Sequence, residues 1–278
     1  MSHPLRRATA APNWPSFKGT ADYVGTSPVA KVSVYVDRAL GVPGLQNAQD
    51  LIADADRVVA ENARLFGAPA SAVNVLIYAI DGRTDGTGGA DHDACNFATG
   101  GDIEVCASFG QPRRVSALFE AEYSECAMGG NLCGVSTGEG LSRWCAAVVS
   151  GNALADFASA PTWAGQGMPD WVNHTDPTDQ NPVSTGCTMA FLSWLQSQGY
   201  ALAQIAPAMV TLGTSAVLAE LYAKLSKQPQ ASAWPKFLAA AKALPAITSD
   251  DPFASAPAVR RTSRARTVAR APRRTPTR

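Results

Sequence analysis

Residues 117–128, ALFEAEYSECAM, crowd three glutamates, Glu120, Glu122 and Glu125, into six positions of an otherwise apolar stretch. At the helical step, Val115, Leu118, Phe119, Glu122, Glu125 and Cys126 share one face, and Glu120 falls on the opposite side. Two carboxylates therefore point where the apolar side chains point, while Glu120 is expected to need only solvent. A lone ionised carboxylate is costly to bury. Glu122 and Glu125 thus call for a metal, a basic partner, a bound proton or a water-filled cleft.

Working outward toward the N-terminus, KVSVYVD (31–37) alternates valine with polar residues and predicts a strand. Leu51, Ala55, Val58, Val59, Asn62, Leu65 and Phe66 then recur at helical spacing, and Gly67 supplies a stop. AVNVLIYAI (72–80) is nearly continuous apolar sequence, as expected for a strand covered on both faces. Together these make a strand-helix-strand crossover. Residues 81–102 form a long loop of glycine and aspartate before another strand, IEVCASF (103–109). Asp81, Asp85, Asp91 and Asp93 in that loop fit no calcium-binding register and read as turn formers.

From Arg113 onward the pattern is helical, over about 113–128, 138–150, 184–198, 201–212, 215–226 and 231–243. The expected fold class is α/β (α+β): an N-terminal mixed sheet with a crossover helix, followed by a helical half, with a cleft between them. The expected divisions are a lead-in over 1–28, a single domain over 29–248 and a disordered arginine-rich tail over 249–278. Within the domain, 29–112 is the α/β part and 113–248 the helical part.

Composition narrows the function classes. With 46% hydrophobic residues in 278, the chain can bury a continuous core, and no apolar run is long enough to span a bilayer. Residues 1–15 contain basic residues but no apolar stretch of the secretory kind, which points to the cytoplasm. Six cysteines leave a secreted location open if they are paired. Cys95 with Cys106 and Cys126 with Cys133 are the pairings that spacing suggests, and buried free thiols are the favoured reading. The formal charge is zero, but residues 260–278 hold eight arginines and no acids. The preceding body is left with 15 basic and 23 acidic residues, a net of −8. Such a tail is either a solvated extension, able to fold back on the acidic body, or an arm for an anionic partner.

No phosphate-binding loop, nucleophile elbow or dinucleotide fingerprint occurs, and Cys126 has no local hydrolase signature. The run AEYSE (121–125), then GEGLSRW (138–144) and STGCTMAFLSWLQSQGY (184–200), resembles a zincin of the gluzincin type, nearest to aminopeptidase-N-like peptidases. The resemblance covers roughly residues 30–205 and implies a zincin-like fold. It also implies Glu122 as general base, with Glu125 and Glu139 as metal ligands. Ala121 and Glu125 occupy the two histidine positions of that family's HExxH motif, so the resemblance implies a degenerate member.

Further candidates for the cleft are His92, from the glycine-aspartate loop, and Arg143, a partner for a buried glutamate. Glu139 has a competing role, because Ser136 three residues before it forms a capping-box pattern. The familiar zinc site is not supported, and a harder divalent cation suits the carboxylates better. The functions weighed are a binding or scaffold protein that has lost zinc-peptidase activity, holding a peptide or protein in its cleft; an active metal-dependent hydrolase; and an interaction module acting through its basic tail.

Overall fold

The computed structural model describes residues 12–254. Among these, β1 (Ala21–Thr26), β2 (Ser33–Asp37), β3 (Asn74–Tyr78), β4 (Ala90–His92) and β5 (Asp102–Cys106) form a mixed sheet in the order β1-β2-β3-β5-β4. The three central strands run parallel, and β1 and β4 pair antiparallel at the two edges. Helix α1 (Gly41–Phe66) makes the crossover between β2 and β3 and ends at Gly67, whose φ of 64° suits a residue without Cβ. The apolar positions selected by spacing, Leu51, Ala55, Val58, Val59, Leu65 and Phe66, are all buried on this helix.

The helical half consists of α2 (Pro112–Ala127), α3 (Ser136–Ser150), α4 (Ala160–Gly165), α5 (Pro182–Ser197), α6 (Leu202–Leu212), α7 (Leu218–Ser226) and α8 (Ala233–Lys242). The mixed sheet followed by helices is the expected α+β arrangement. Two apolar clusters hold it together. Val34, Val75, Ile77, Val105 and Phe119 lie between the sheet and helices α1 and α2. Trp163, Phe191, Trp194 and Phe237 form an aromatic centre among the later helices, with Phe237 5.3 Å from Trp163 and 5.2 Å from Phe191 between ring centroids. Such pairs add about 0.5–1.5 kcal/mol each to plain burial. Helix α5 is buried from Ser184 to Leu195, and Gly186 lets it lie against the start of α4, where an added Cβ would be 2.2 Å from the Ser159 carbonyl oxygen.

Several expectations need correction. The lead-in contains the edge strand β1, and residues 13–17 cover the sheet face opposite the helices, so the sheet is covered on both faces as expected. There Glu104, fully buried, accepts from the Ser16 and Phe17 backbone N–H groups at 3.1 and 2.8 Å, while Phe17 packs on Tyr78 and Trp14 on Tyr35. The glycine-aspartate loop contains β4. At the other end, Asp250 and Phe253 are 7% and 5% exposed, so the stretch assigned to the tail is ordered at its start. The remainder of the tail, and with it the expectations of disorder and of an anionic partner, lies outside the described residues. No helix among the described residues is long and apolar enough to cross a membrane.

Candidate metal centre

Helix α2 lies between α1 and α3 and packs on β4 and β5, so nearly its whole circumference is buried. The three glutamates consequently meet three different surroundings. Glu120 does not reach solvent. It is fully buried against α1, where its Oε1 accepts from Asn62 Nδ2 at 3.1 Å and from Ser124 Oγ at 3.1 Å. Burial pushes its carboxyl up to about 8, against the opposing effect of those two donors.

Glu122 and Glu125 point toward β4 and α3, into a cleft of about 290 Å³. His92, the last residue of β4, enters the same space. Its Nδ1 is 3.7 Å from Glu122 Oε2 and its Nε2 is 3.4 Å from Glu125 Oε2. Among the described residues neither ring nitrogen has a hydrogen-bond partner, although both are buried. One ligand atom from each of these three side chains lies within 4.8 Å of the others, which makes them a candidate cation site.

Helix α3 supplies the remaining wall. Ser142 Oγ donates to Glu125 Oε1 at 3.0 Å, and Glu139 shares a hydrogen bond with Glu125. Glu139 stands 3.8 Å from Arg143 Nη1. The other end of the Arg143 guanidinium donates to the Phe157 carbonyl and lies 3.5 Å from Asp250. Arg143 thus serves two acids and a backbone group, and among the described residues Glu122 is left with His92 as its basic neighbour. The capping-box expectation is corrected: Ser136 is the first residue of α3, Val135 is the cap, and no side chain caps this end. Glu139 is therefore a cleft residue.

The electrostatics follow from this crowding. Burial, then the negative fields of Glu125, Glu139, Asp91 and Asp179, hold the Glu122 carboxyl well above the ordinary range. Burial also raises Glu125, offset by its bonds with Ser142 and Glu139. Glu139 is pushed up to about 8 by burial and by Glu125, with Arg143 acting against the shift. The Cys126 thiol, raised by burial and by both neighbouring glutamates, donates to the Ala94 carbonyl at 3.2 Å and is poorly suited to be a nucleophile.

All five sequence candidates, Glu122, Glu125, Glu139, His92 and Arg143, line this cleft. Sequence reasoning placed Asp91 among turn formers and overlooked Asp179, which precedes α5; both also line it. Nothing in local spacing marks Asp179, since only the packing of distant segments brings it here. The loop carrying His92 is tied to the turn after α2 by a Cys95–Cys133 disulfide, a pairing that differs from both suggested by spacing. Cys106, Cys126, Cys145 and Cys187 are free and buried.

The donor set, one imidazole with carboxylates, fits a divalent cation that accepts nitrogen and oxygen ligands. It does not reproduce two imidazoles on one helix, because Ala121 stands at the first of those positions.

No protein-family model and no curated relative matches the chain. Among solved structures, it is similar to a crystallised mutant of an M1 zinc metallopeptidase from Deinococcus radiodurans, at 11% sequence identity and a TM-score of 0.42. The similarity covers 79% of this chain and 50% of that one, so the chain spans about half the length of that protein.

Proposed function

We propose that this chain is a zincin-like protein that has lost zinc-peptidase activity, holds a divalent cation through His92, Glu122 and Glu125, and binds a peptide or protein segment in its cleft. The observation that carries this reading is the convergence of those three side chains within 4.8 Å, with both imidazole nitrogens buried and unpartnered. A cation would replace the protons that the crowded carboxyls otherwise retain, and would relieve their mutual repulsion. Loss of peptidase chemistry is argued from Ala121 and from Glu122 itself, because a carboxylate engaged as a ligand is not free to act as a base. The peptide ligand is argued from β4, an edge strand whose residues line the cleft and whose outer side pairs with no other strand among the described residues.

A second reading, an active metal-dependent hydrolase, draws on the hydrogen bond between Glu125 and Glu139. In that arrangement Glu125 and Glu139 would hold the cation, which would supply Lewis acidity, and Glu122 would be free to act as the general base.

The test uses the full chain, stripped with a mild chelator and reloaded separately with magnesium, calcium, manganese or zinc. Elemental analysis after dialysis and cleavage of a fluorogenic peptide mixture are measured together. Stoichiometric cation without turnover is expected. Turnover abolished by Glu122→Gln would favour the hydrolase, and absence of bound cation under every loading would contradict both readings.

A further inference from the structure

The division of charge between body and tail remains unused by the cleft chemistry alone. We propose that the arginine-rich segment after Ala254 docks into the acidic cleft of its own chain, placing guanidinium groups against Asp91, Asp179 and Glu139. This names the kind of segment the cleft accepts, and it rests on the reading of the cleft as a peptide-binding site.

Four observations support the pairing. First, Asp91, Glu122, Glu125, Glu139 and Asp179 face one cleft in which, among the described residues, Arg143 is the sole lysine or arginine. His92 adds two buried ring nitrogens that have no hydrogen-bond partner among the described residues.

Second, the tail departs from a fixed point beside it. Asp250 accepts from the Ser159 and Ala160 backbone N–H groups at 2.8 and 2.7 Å, and its other oxygen lies 3.5 Å from Arg143, a cleft residue. Phe253 is buried in the helical core, and its N–H donates to Ser193 Oγ at 3.0 Å. The chain is thus anchored one ion pair away from the cleft wall, with 24 residues following Ala254. At about 3.3 Å per extended residue they reach far beyond the distance required.

Third, those 24 residues hold eight arginines and no acids. Guanidinium matches carboxylate in planar, paired hydrogen bonds, and attachment to the same chain raises its local concentration to roughly millimolar. Fourth, Leu118, Leu154 and Phe157 also line the cleft and offer apolar surface to the aliphatic stem of an arginine. Docking of this kind makes the tail a competitor of any external basic peptide.

Limited trypsinolysis of the full chain tests the proposal, because trypsin cuts after arginine and a docked tail is shielded. Tail cleavage is compared between the parent and an Asp91→Asn, Asp179→Asn variant, whose altered groups lie outside the proposed ligand set. Thermal melts confirm that both chains are folded. The tail should be cut about tenfold more slowly in the parent at ~50 mM salt, and the difference should vanish at ~500 mM. Equal rates at low salt would overturn the inference, as would protection that falls when the protein is diluted, since that indicates docking between copies. Cation binding is measured on the same samples. A chain that binds cation but leaves its tail equally open contradicts this inference alone, whereas a shielded tail on a cation-free chain contradicts the metal reading alone.

Discussion

Glu120 shows how the site depends on which way a single side chain turns. The helical wheel correctly separated it from Glu122 and Glu125, yet assigned it to water, because a wheel assumes one wet face. On α2 that face is covered by α1, and Asn62 and Ser124 give the carboxyl a polar seat without charge compensation. Its carboxyl, at about 8 in the folded chain against an ordinary 4.5, holds its proton more tightly after folding. The stability this gives is complete below pH ~4.5 and is lost as pH rises through ~8, by an amount on the order of 4 kcal/mol. A Glu120→Gln variant keeps the shape and an acceptor but cannot ionise. Urea unfolding from pH 5 to 9 should show a falling midpoint for the parent and a shallower fall for the variant, in which the raised carboxyls of Glu122, Glu125 and Glu139 still titrate; parallel curves would contradict the assignment. His92, by contrast, was a candidate in the sequence only because histidines are few. Its meeting with two glutamates of α2 was not legible there, since the contact crosses from a loop to a helix about thirty residues later.

The longer elements were legible because each repeats its pattern over several turns or alternations. Helix α1 and strands β2, β3 and β5 follow their apolar periods closely, as do the main helices of the second half. Strands β1 and β4 and helix α4 were missed. The three residues of β4 are too few to establish a period, and β1 exposes Tyr23 at the sheet edge. Yet β4 carries His92, and the Cys95–Cys133 bridge ties the loop after it to the turn following α2. With a sequence separation of 38 between the two cysteines, removal of the bridge should cost about 2–4 kcal/mol. A Cys95→Ser, Cys133→Ser chain should melt at lower temperature and bind cation more weakly, because His92 is then less firmly held against Glu122 and Glu125. Unchanged cation affinity despite lower stability would show that the bridge supports the fold without positioning the site.

At the scale of the molecule, the sheet layer presents His92 and Asp91, while the helical half presents Glu122, Glu125, Glu139 and Arg143, so the cleft is completed where the two meet. The acidic body and basic tail were apparent from composition. The position of the tail's origin beside the cleft was not, since Asp250 and Phe253 look in sequence like the beginning of an unstructured end. Their packing fixes residues 250–254 beside Arg143 and the cleft wall.

The central claim, that His92, Glu122 and Glu125 form a cation site, is tested most directly by calorimetric titration of chelator-stripped full chain with manganese or zinc. Parallel titrations use His92→Ala and Glu125→Gln. The parent is expected to show a single saturable site, weakened at least ~10-fold in each variant. Equal binding by the parent and both variants, or no binding by any of them, would contradict it.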